Sequence, residues 1–256
     1  QTPAPPVVVC WPQTTEQISQ LVKYARQHRL PLVPYGAGSG VCGGAMAAPD
    51  GITVDLKRME RLVHVDVPGR RYTAEAGIIG ENLERKLAQQ GLSGGHFPSS
   101  ILCSTVGGWL AARGAGQLST KHGKIEDMCE GLTAVLGTGE IIRGDARPSS
   151  GPDWTQWLIG SEGTLGFITE ARLHAVAQPA HRAFRAMRFG TMDAGAEAIR
   201  KMMREGLRPA VVRLYDPLDT ALVGRGAPSK RIDSEHDHVD AIQFIQERVP
   251  GLARLS

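Results

Sequence analysis

The most informative stretch of this sequence is a glycine-rich turn that leads directly into an apolar strand, Gly160-Ser161-Glu162-Gly163-Thr164-Leu165-Gly166-Phe167-Ile168-Thr169. Glycines this closely spaced let the backbone turn sharply and let another group approach it. The alternating apolar residues that follow predict a long strand over residues 167–176. Taken alone, the turn is explained equally well as an ordinary connection or as a ligand contact.

A second glycine cluster lies much earlier in the chain, at Pro34-Tyr35-Gly36-Ala37-Gly38-Ser39-Gly40-Val41-Cys42-Gly43-Gly44. Its glycines formally satisfy the G-x-G-x-x-G spacing of nicotinamide dinucleotide sites. However, Pro34 lies in the preceding strand, and a Pro-Asp-Gly turn follows where such a site needs a helix. The cluster is better explained as a nest of backbone N–H groups that can hold a pyrophosphate, or as a tight turn at a sheet edge.

The third cluster, residues 94–109, places small hydroxyl residues directly before a predicted helix. Ser104 or Thr105 would cap that helix, whose free N–H groups favour an anion. Gly107 and Gly108 inside the helix each cost about 1 kcal/mol relative to alanine, and a close backbone or a flat ligand would explain them. Packing of the helix on a sheet is the alternative explanation, and both can hold together.

Hydrophobic periodicity predicts a chain of alternating helices and strands. The first helix has a capping box in Thr14 and Gln17. The predicted helices cover residues 15–29, 80–90, 105–113 and a short turn at 154–158. The predicted strands cover residues 32–34, 52–56, 62–66, 72–76, 132–136, 140–142 and 167–176, with a hairpin between 132 and 142.

The composition of the sequence changes around Gln178-Pro179, after which there are no further glycine clusters. Alternation predicts strands at residues 183–189 and 210–215, on either side of an amphipathic helix at 194–204. This β-α-β unit is interpreted as the opening of a second domain. Because strands occur both in hairpins and beside helices, the predicted fold class is α+β with mixed sheets.

Composition excludes several classes of protein. The chain has 256 residues, a hydrophobic fraction of 41%, a net charge of +3 and 5% aromatic residues. The hydrophobic fraction supports a packed core, whereas the small charge and the few aromatic rings argue against a nucleic-acid partner. The sequence has neither an apolar run long enough to span a membrane nor a secretory signal pattern at residue 1. We therefore expect a cytoplasmic protein.

Four cysteines, Cys10, Cys42, Cys103 and Cys129, are far apart and form no C-x-x-C motif. They predict neither a zinc site nor a redox pair, and we expect reduced, mostly buried thiols. The run His236-Asp237-His238 has the residue types of metal ligands but lies in a polar stretch without further ligands. It is interpreted as a solvated run, and no metal site is predicted.

In this order, the three glycine segments resemble the FAD-binding fold of the vanillyl-alcohol oxidase family, also called the PCMH-type domain. The resemblance covers residues 6–176. The family pattern is a capped helix, a P-x-G-x-G-S/T loop, an S-T-x-G-G segment and a closing G-S/T-E-G-x-L-G-x-I/V-T, which residues 160–169 match nearly completely. The first loop departs mildly, with Ala37 and Ser39 where the family often has glycine and threonine.

Within this family, the chain looks most like the alkyldihydroxyacetonephosphate synthases. Residues 208–216 resemble the opening of their cap domain. The other markers are Ser104-Thr105-Val106-Gly107-Gly108-Trp109, Ala112-Arg113-Gly114-Ala115-Gly116 and His122-Gly123-Lys124-Ile125-Glu126-Asp127.

The resemblance implies an FAD-dependent transferase that exchanges the acyl group of acyl-dihydroxyacetone phosphate for a fatty alcohol in ether lipid synthesis. One alternative is an FAD-linked oxidase or dehydrogenase of a 2-hydroxy acid such as D-lactate or glycolate, because that subfamily has similar FAD loops. Another is a degenerate domain without catalysis, against which the intact glycine loops argue. The resemblance names no catalytic residue, since the tyrosine, histidine-rich segment and phosphate-binding arginine of the synthases have no counterparts in this sequence.

FAD is the implied cofactor, with its pyrophosphate on residues 36–40. Residues 99–105 and 112–115 would line the flavin and ribityl groups, and residues 162–168 would hold the rest. The cofactor-binding residues implied in this way are Pro34, Tyr35, Gly36, Ala37, Gly38, Ser39, Gly40, Val41, Pro98, Ser99, Ser100, Ser104, Thr105, Gly107, Gly108, Ala112, Arg113, Ala115, Glu162, Gly163, Leu165, Gly166 and Ile168.

The implied architecture is a two-lobed PCMH-type FAD-binding domain at residues 1–178. The start of an α/β cap, or substrate, domain follows at 179–226, and a helical fragment of the cap or C-terminal region follows at 227–256. The expected partner is a small-molecule substrate, either a lipid phosphate or a 2-hydroxy acid. A peripheral membrane contact and a homodimer are open alternatives.

His96 and Arg113, in or beside the third cluster, each have more than one possible role. Some family members bond FAD covalently to a histidine, but the synthases do not, so His96 is expected to pack or to form hydrogen bonds. Arg113 follows the helix and would either pair with a phosphate or form a surface salt bridge. Tyr215 and Asp216 are interpreted as a strand end and a turn.

Overall fold

A computed structural model describes residues 5–145 and 150–220 of the chain. The described chain divides between a first unit ending at Ala180 and a second beginning at His181. The strands are β1 (Val8–Cys10), β2 (Leu32–Tyr35), β3 (Ile52–Asp55), β4 (Leu62–Asp66), β5 (Arg71–Glu75), β6 (Leu92–Ser93), β7 (Cys129–Leu136), β8 (Ile141–Asp145), β9 (Gly166–His174) and β10 (Val176–Ala177). The helices are α1 (Thr15–His28), α2 (Gly80–Ala88), α3 (Val106–Ala111), α4 (Ser119–His122), α5 (Ile125–Met128), α6 (Trp154–Leu158) and α7 (Met192–Arg204).

The smaller lobe of the first unit is a parallel sheet in the order β1-β3-β2, so that β3 is its central strand. All four residues of β3 are buried. Ile18 and Val22 of α1 pack into one apolar cluster with Ile52 and Val54 of β3. The amphipathic spacing that predicted α1 therefore provides the face that covers the sheet.

Helix α1 begins at the predicted cap. The Thr14 side chain accepts a hydrogen bond from the Gln17 backbone N–H at 3.2 Å. The second hydrogen bond of the predicted capping box differs from the standard pattern. The Gln17 side chain accepts from the backbone N–H of Gln13, at 2.7 Å, one residue before the cap. Arg29 ends the helix with φ = 54°, in the left-handed region.

The larger lobe is an antiparallel sheet in the order β4-β5-β9-β7-β8. Its β7–β8 pair is the predicted hairpin. The sheet and its helices share one apolar cluster, to which α2, α3, α5 and α6 contribute Leu83, Leu110, Ile125 and Leu158. The predicted α+β class is confirmed, although each described sheet is purely parallel or purely antiparallel, so the expectation of mixed sheets is wrong.

In the second unit, the helix of the predicted β-α-β motif is present as α7, but the strands predicted at 183–189 and 210–215 are absent from the described residues. A strand needs a neighbour for its backbone hydrogen bonds, and neither segment has one there. A β-carbon added to Gly195 of α7 would lie 2.7 Å from Leu214 and 3.3 Å from Phe189. Phe189 and Leu214 thus lie beside α7, whereas Phe184 of the first segment is 83% exposed.

Residues 227–256, predicted to be helical, lie outside the described residues, as does His236-Asp237-His238. Asp216, predicted to form a turn, accepts a hydrogen bond from the backbone N–H of Asp219 at 2.7 Å. Within the two described ranges, every helix falls short of the length and apolar character that crossing a membrane requires.

Candidate cofactor site

The fold brings the three glycine segments together, although they lie far apart in the sequence. A β-carbon added to Gly36 in the first segment would overlap the Thr105 hydroxyl in the middle segment. One added to Gly163 in the last segment would lie 2.7 Å from Pro34, at the start of the first. Backbones approach this closely only where side chains are absent, so these glycines allow the segments to converge.

The middle and last segments are also joined by backbone hydrogen bonds. The N–H of Gly160 donates to the carbonyl of Leu110 at 2.9 Å, and the N–H of Glu162 donates to Ala111 at 3.0 Å. These carbonyls belong to the last turn of α3, whose final carbonyls lack partners within the helix. The turn at residues 160–166 is thereby fixed against the end of α3.

The first loop, residues 36–44, has no following helix, so the structure does not support a nicotinamide-type site there. Gly38, Ser39, Gly40 and Val41 are exposed. Within the described part of the chain, the backbone N–H groups of residues 37–42 donate to no other backbone group. Consecutive free donors of this kind can form an anion-binding concavity, and binding of a pyrophosphate there stays a prediction.

Helix α3 starts at Thr105, whose hydroxyl accepts a hydrogen bond from the Gly108 backbone N–H at 3.2 Å. Thr105 is therefore the predicted cap. The neighbouring Ser104 hydroxyl is fully used within the protein, because it donates to the Ser100 carbonyl at 2.8 Å and accepts from the Trp109 indole at 2.7 Å. Ser104 shapes the segment and has no free donor for a ligand.

Gly107 and Gly108 have different surroundings. A β-carbon added to Gly107 would lie 2.7 Å from the Ala76 β-carbon, and the Gly107 N–H donates to the Ala76 carbonyl at 2.7 Å. Gly108 is exposed, and its added β-carbon would meet only the Thr105 hydroxyl, at 3.2 Å. Gly107 thus serves helix packing, which is one of the two explanations, whereas the approach of a ligand at exposed Gly108 stays a prediction.

Replacing Gly107 with alanine is expected to lower the free energy of unfolding by about 1–2 kcal/mol. Overpacking against Ala76 costs about 1–3 kcal/mol, which the better helix propensity of alanine offsets by up to about 1 kcal/mol. Gly108→Ala is the matched control. Its β-carbon meets only the Thr105 hydroxyl, so the same propensity gain should leave the free energy of unfolding unchanged or raise it by up to about 1 kcal/mol. Urea unfolding of both variants measures this, and an equal loss in the two would contradict the assignment.

The other predicted cofactor residues differ in exposure. Gly166 and Ile168 are buried, with Ile168 in the core cluster of the larger lobe, so any contact they make with a cofactor is indirect. The half-buried residues are Pro34, Tyr35, Gly36, Ala37, Pro98, Ser100 and Gly163. The exposed residues, besides those of the first loop and Gly108, are Ser99, Ala112, Arg113, Ala115, Glu162 and Leu165.

Arg113 holds protein groups together. Its guanidinium donates to the carbonyls of Gln156 and Ile159 at 2.9 and 2.7 Å. Its nearest carboxylate, Glu126, lies 3.8 Å away. The hydrogen bonds tie the end of α3 to α6, and the ion pair with Glu126 is the salt bridge that the sequence left open as one of two roles. Pairing of Arg113 with a phosphate stays a prediction.

His96 is buried, with 1% of its surface exposed, and its ring packs on Trp109 at a centroid distance of 4.9 Å. Neither ring nitrogen has a hydrogen-bond partner among the described residues. Burial lowers the pKa of His96 to about 4, and the nearby Glu126 carboxylate only partly opposes this. His96 is therefore a neutral packing residue, which is one of the two roles predicted for it.

A separate polar cavity of about 560 Å³ lies on the antiparallel sheet, lined by residues such as His64, Arg71 and Arg172. Its charges compensate one another: Glu130 lies 2.8 Å from both Arg71 and His174. None of its lining residues belongs to a glycine segment. We therefore do not assign the cofactor to this cavity.

The exposure of the cysteine thiols differs from the sequence-based expectation. All four cysteines are free, as predicted, but Cys42 and Cys103 are exposed and Cys10 is half-buried. Only Cys129 is buried, which raises the pKa of its thiol to about 11. The expectation of mostly buried thiols is wrong because two of the cysteines lie in open glycine segments. The described residues contain no cluster suited to a metal ion.

Sequence reasoning missed a polar group beside the first loop. The Asp55 carboxylate accepts hydrogen bonds from Trp11 and Lys57, and Lys57 donates to the Gly36 carbonyl. The available signal was an aspartate and a lysine directly after a short buried strand. Polar residues at the carboxyl ends of parallel strands commonly lie at ligand sites.

Comparison with known proteins identifies relatives of two kinds. A family profile described as an FAD binding domain matches residues 6–145, more than half of the chain. An alkyldihydroxyacetonephosphate synthase from Dictyostelium discoideum is 34% identical over 236 residues, which cover 90% of this chain and 38% of that protein. The glycolate oxidase subunit GlcD of Bacillus subtilis is 31% identical over 214 residues, 82% of this chain and 46% of that protein. The chain thus spans less than half the length of these relatives.

Solved structures include close matches to the described fold. An alkyldihydroxyacetonephosphate synthase superposes with a TM-score of 0.77 at 32% identity, over 87% of this chain and 41% of that one. A 6-hydroxy-D-nicotine oxidase from Arthrobacter nicotinovorans superposes with a TM-score of 0.58, over 66% of this chain and 36% of that one. At 23% identity, the oxidase supports the fold alone. The predicted PCMH-type fold is confirmed.

Proposed function

This chain belongs to the FAD binding domain family, with FAD as its cofactor, and from that premise we propose that it is the cofactor-binding part of an FAD-dependent transferase resembling alkyldihydroxyacetonephosphate synthase. The proposed reaction replaces the acyl group of acyl-dihydroxyacetone phosphate with a fatty alcohol, so the small-molecule substrate is a lipid phosphate. The observation that carries the proposal is the convergence of three glycine segments in a chain 34% identical to such a synthase.

The converging segments fit an FAD molecule. Residues 37–42 offer free backbone N–H donors for its pyrophosphate. Beside them, Val41 is 100% exposed and Leu165 is 49% exposed, and a bound ring system would cover such apolar side chains. Gly40 leaves the open space that close approach of a ligand requires, and Gly108 is exposed on α3 without a side chain.

We place the pyrophosphate on residues 36–40, the flavin and ribityl groups along 98–105 and 112–115, and the remainder against 162–168. Because the Ser104 O–H donates within the protein, the hydroxyls that remain as donors for the ribityl chain are those of Ser99, Ser100 and Thr105, the last of which only accepts a hydrogen bond. Bound FAD would supply the reactive isoalloxazine ring. The chain's own residues would bind and orient it, and none of them is assigned as the catalytic acid or base.

A second candidate is an FAD-linked dehydrogenase or oxidase of a 2-hydroxy acid. It is favoured by the 31% identity to the glycolate oxidase subunit GlcD. The two candidates share the cofactor site and differ in the substrate. Only the second removes a hydride from its substrate, so the oxidation state of the flavin distinguishes them.

The experiment is an absorbance spectrum of the purified full-length protein, before and after anaerobic addition of D-lactate or glycolate. Under the first proposal, the flavin bands are present and remain, and exchange of the acyl group for a labelled fatty alcohol is detected. Bleaching by either hydroxy acid would replace this proposal with the second candidate. Absence of flavin bands, even after incubation with FAD, would overturn both.

A further inference from the structure

A cluster of charged and aromatic side chains lies where strands β2 and β3 end, beside the first glycine loop. The Lys57 ammonium lies 2.8 Å from the Asp55 carboxylate and donates to the Gly36 carbonyl at 3.3 Å. It also lies 4.7 Å from the centre of the Tyr35 ring, in cation–π geometry. One ammonium group therefore contacts both the last residue of β2 and the first residue of the loop.

The Asp55 carboxylate holds the Lys57 side chain in this position. Asp55 is buried, and its carboxylate accepts hydrogen bonds from the Trp11 indole at 3.1 Å and from the Lys57 backbone N–H at 3.0 Å. With both oxygens engaged, the carboxylate is fixed in orientation. It fixes the ammonium in turn, although the Lys57 side chain itself is 40% exposed.

Tyr35 extends this support into the middle of the loop. A β-carbon added to Gly38 would lie 2.6 Å from the Tyr35 hydroxyl oxygen. Gly38 has φ = 69°, so the chain turns at this point in a conformation that suits glycine. The contacts therefore form a continuous path from Asp55 through Lys57 and Tyr35 to the turn of the loop.

We propose that Lys57 is a positioning residue that holds loop 36–40 in its cofactor-binding conformation before FAD arrives. The inference rests on the proposed placement of the pyrophosphate on this loop. A glycine-rich loop loses much conformational freedom when it is ordered, and ordering it in advance strengthens binding. Loss of the ammonium is expected to weaken FAD binding by about tenfold.

The test compares Lys57→Met with Lys86→Met in the full chain. Lys86 is a matched control because its ammonium also donates to a backbone carbonyl, that of Glu60, at 3.3 Å, on helix α2 away from the glycine segments. FAD affinity is measured by quenching of flavin fluorescence, and the backbone ¹⁵N order parameters of residues 37–42 are measured by NMR without FAD. Lys57→Met should bind FAD about tenfold more weakly and lower the order parameters of the loop, whereas Lys86→Met should change neither.

Two further variants separate positioning from other roles. Lys57→Arg should restore both readouts, because a guanidinium can bond the carboxylate and lie over the ring. Tyr35→Leu keeps the Lys57–Asp55 pair and should still lower the order parameters of the loop. If the wild-type chain bound no FAD, the proposed function would fail. If it bound FAD and Lys57→Met bound it equally well, or lost affinity without lower order parameters in the loop, the positioning role alone would be overturned.

Discussion

Replacing Gly40 with valine should weaken FAD binding about a hundredfold while leaving the free energy of unfolding within about 0.5 kcal/mol of wild type. A β-carbon at Gly40 meets no protein atom within 4 Å, and its φ lies outside the left-handed region, so the folded chain accepts the side chain. The proposed pyrophosphate occupies that space. A branched side chain there would disrupt about two hydrogen bonds to a charged group, each worth about 1.5 kcal/mol, which is at least a hundredfold in affinity.

Gly137→Val is the matched control for Gly40→Val. A β-carbon at Gly137 also meets nothing within 4 Å, but this glycine lies in the hairpin turn between β7 and β8, outside the glycine segments. Fluorescence titration with FAD and urea unfolding are performed on both variants. Wild-type affinity in Gly40→Val would remove the pyrophosphate from this loop. Equal losses in the two variants would show that the effect is not local.

Local sequence rules predicted the first unit well, because its signals come from adjacent residues. Hydroxyls that precede apolar periodicity identified Thr14 as one cap and Ser104 or Thr105 as another, and Thr14 and Thr105 accept the expected backbone hydrogen bonds. The β7–β8 hairpin follows from a glycine turn between two apolar runs. Each of these features is determined within a few residues.

The wrong predictions share a physical cause. Contacts with residues that are distant in the sequence determine whether a segment forms a strand and whether a side chain is buried. The runs at 183–189 and 210–215 alternate as strands do, yet they form no strand among the described residues, because alternation does not specify a hydrogen-bonding partner. Cys103 lies in an apolar stretch but is exposed. No local pattern indicates whether a neighbouring element will cover a given side chain.

The candidate site also combines features that adjacent residues predict with features that depend on contacts distant in the sequence. The three glycine segments could be found in the sequence, but their convergence depends on contacts such as those of Gly36 with Thr105. The hydrogen bonds of the Arg113 guanidinium to two carbonyls could not be predicted, because those carbonyls are distant from it in the sequence. Lys57 was missed because its significance comes from the Gly36 carbonyl on the neighbouring strand end.

Acidification from pH 7 to pH 5 should destabilise the FAD-free chain by about 2 kcal/mol through His96 alone. Burial lowers the pKa of His96 to about 4 in the folded chain, whereas an unfolded histidine titrates near 6.5. Between these values the unfolded chain takes up a proton on this ring that the folded chain does not, so falling pH favours unfolding. The contribution is fully present above about pH 6.5 and is lost progressively towards pH 4.

Comparing His96→Leu with wild type isolates this contribution, because other titrating groups act equally in both. Leucine has a similar size and no proton to take up, so the loss of unfolding free energy between pH 7 and pH 5 should be about 2 kcal/mol smaller in the variant. His64→Leu, at an exposed position of β4, should follow wild type. A slope unchanged by His96→Leu would mean that the folded chain protonates this ring as readily as the unfolded one. The imidazole would then have gained a hydrogen-bond partner on protonation, and the neutral packing role assigned to His96 would be wrong.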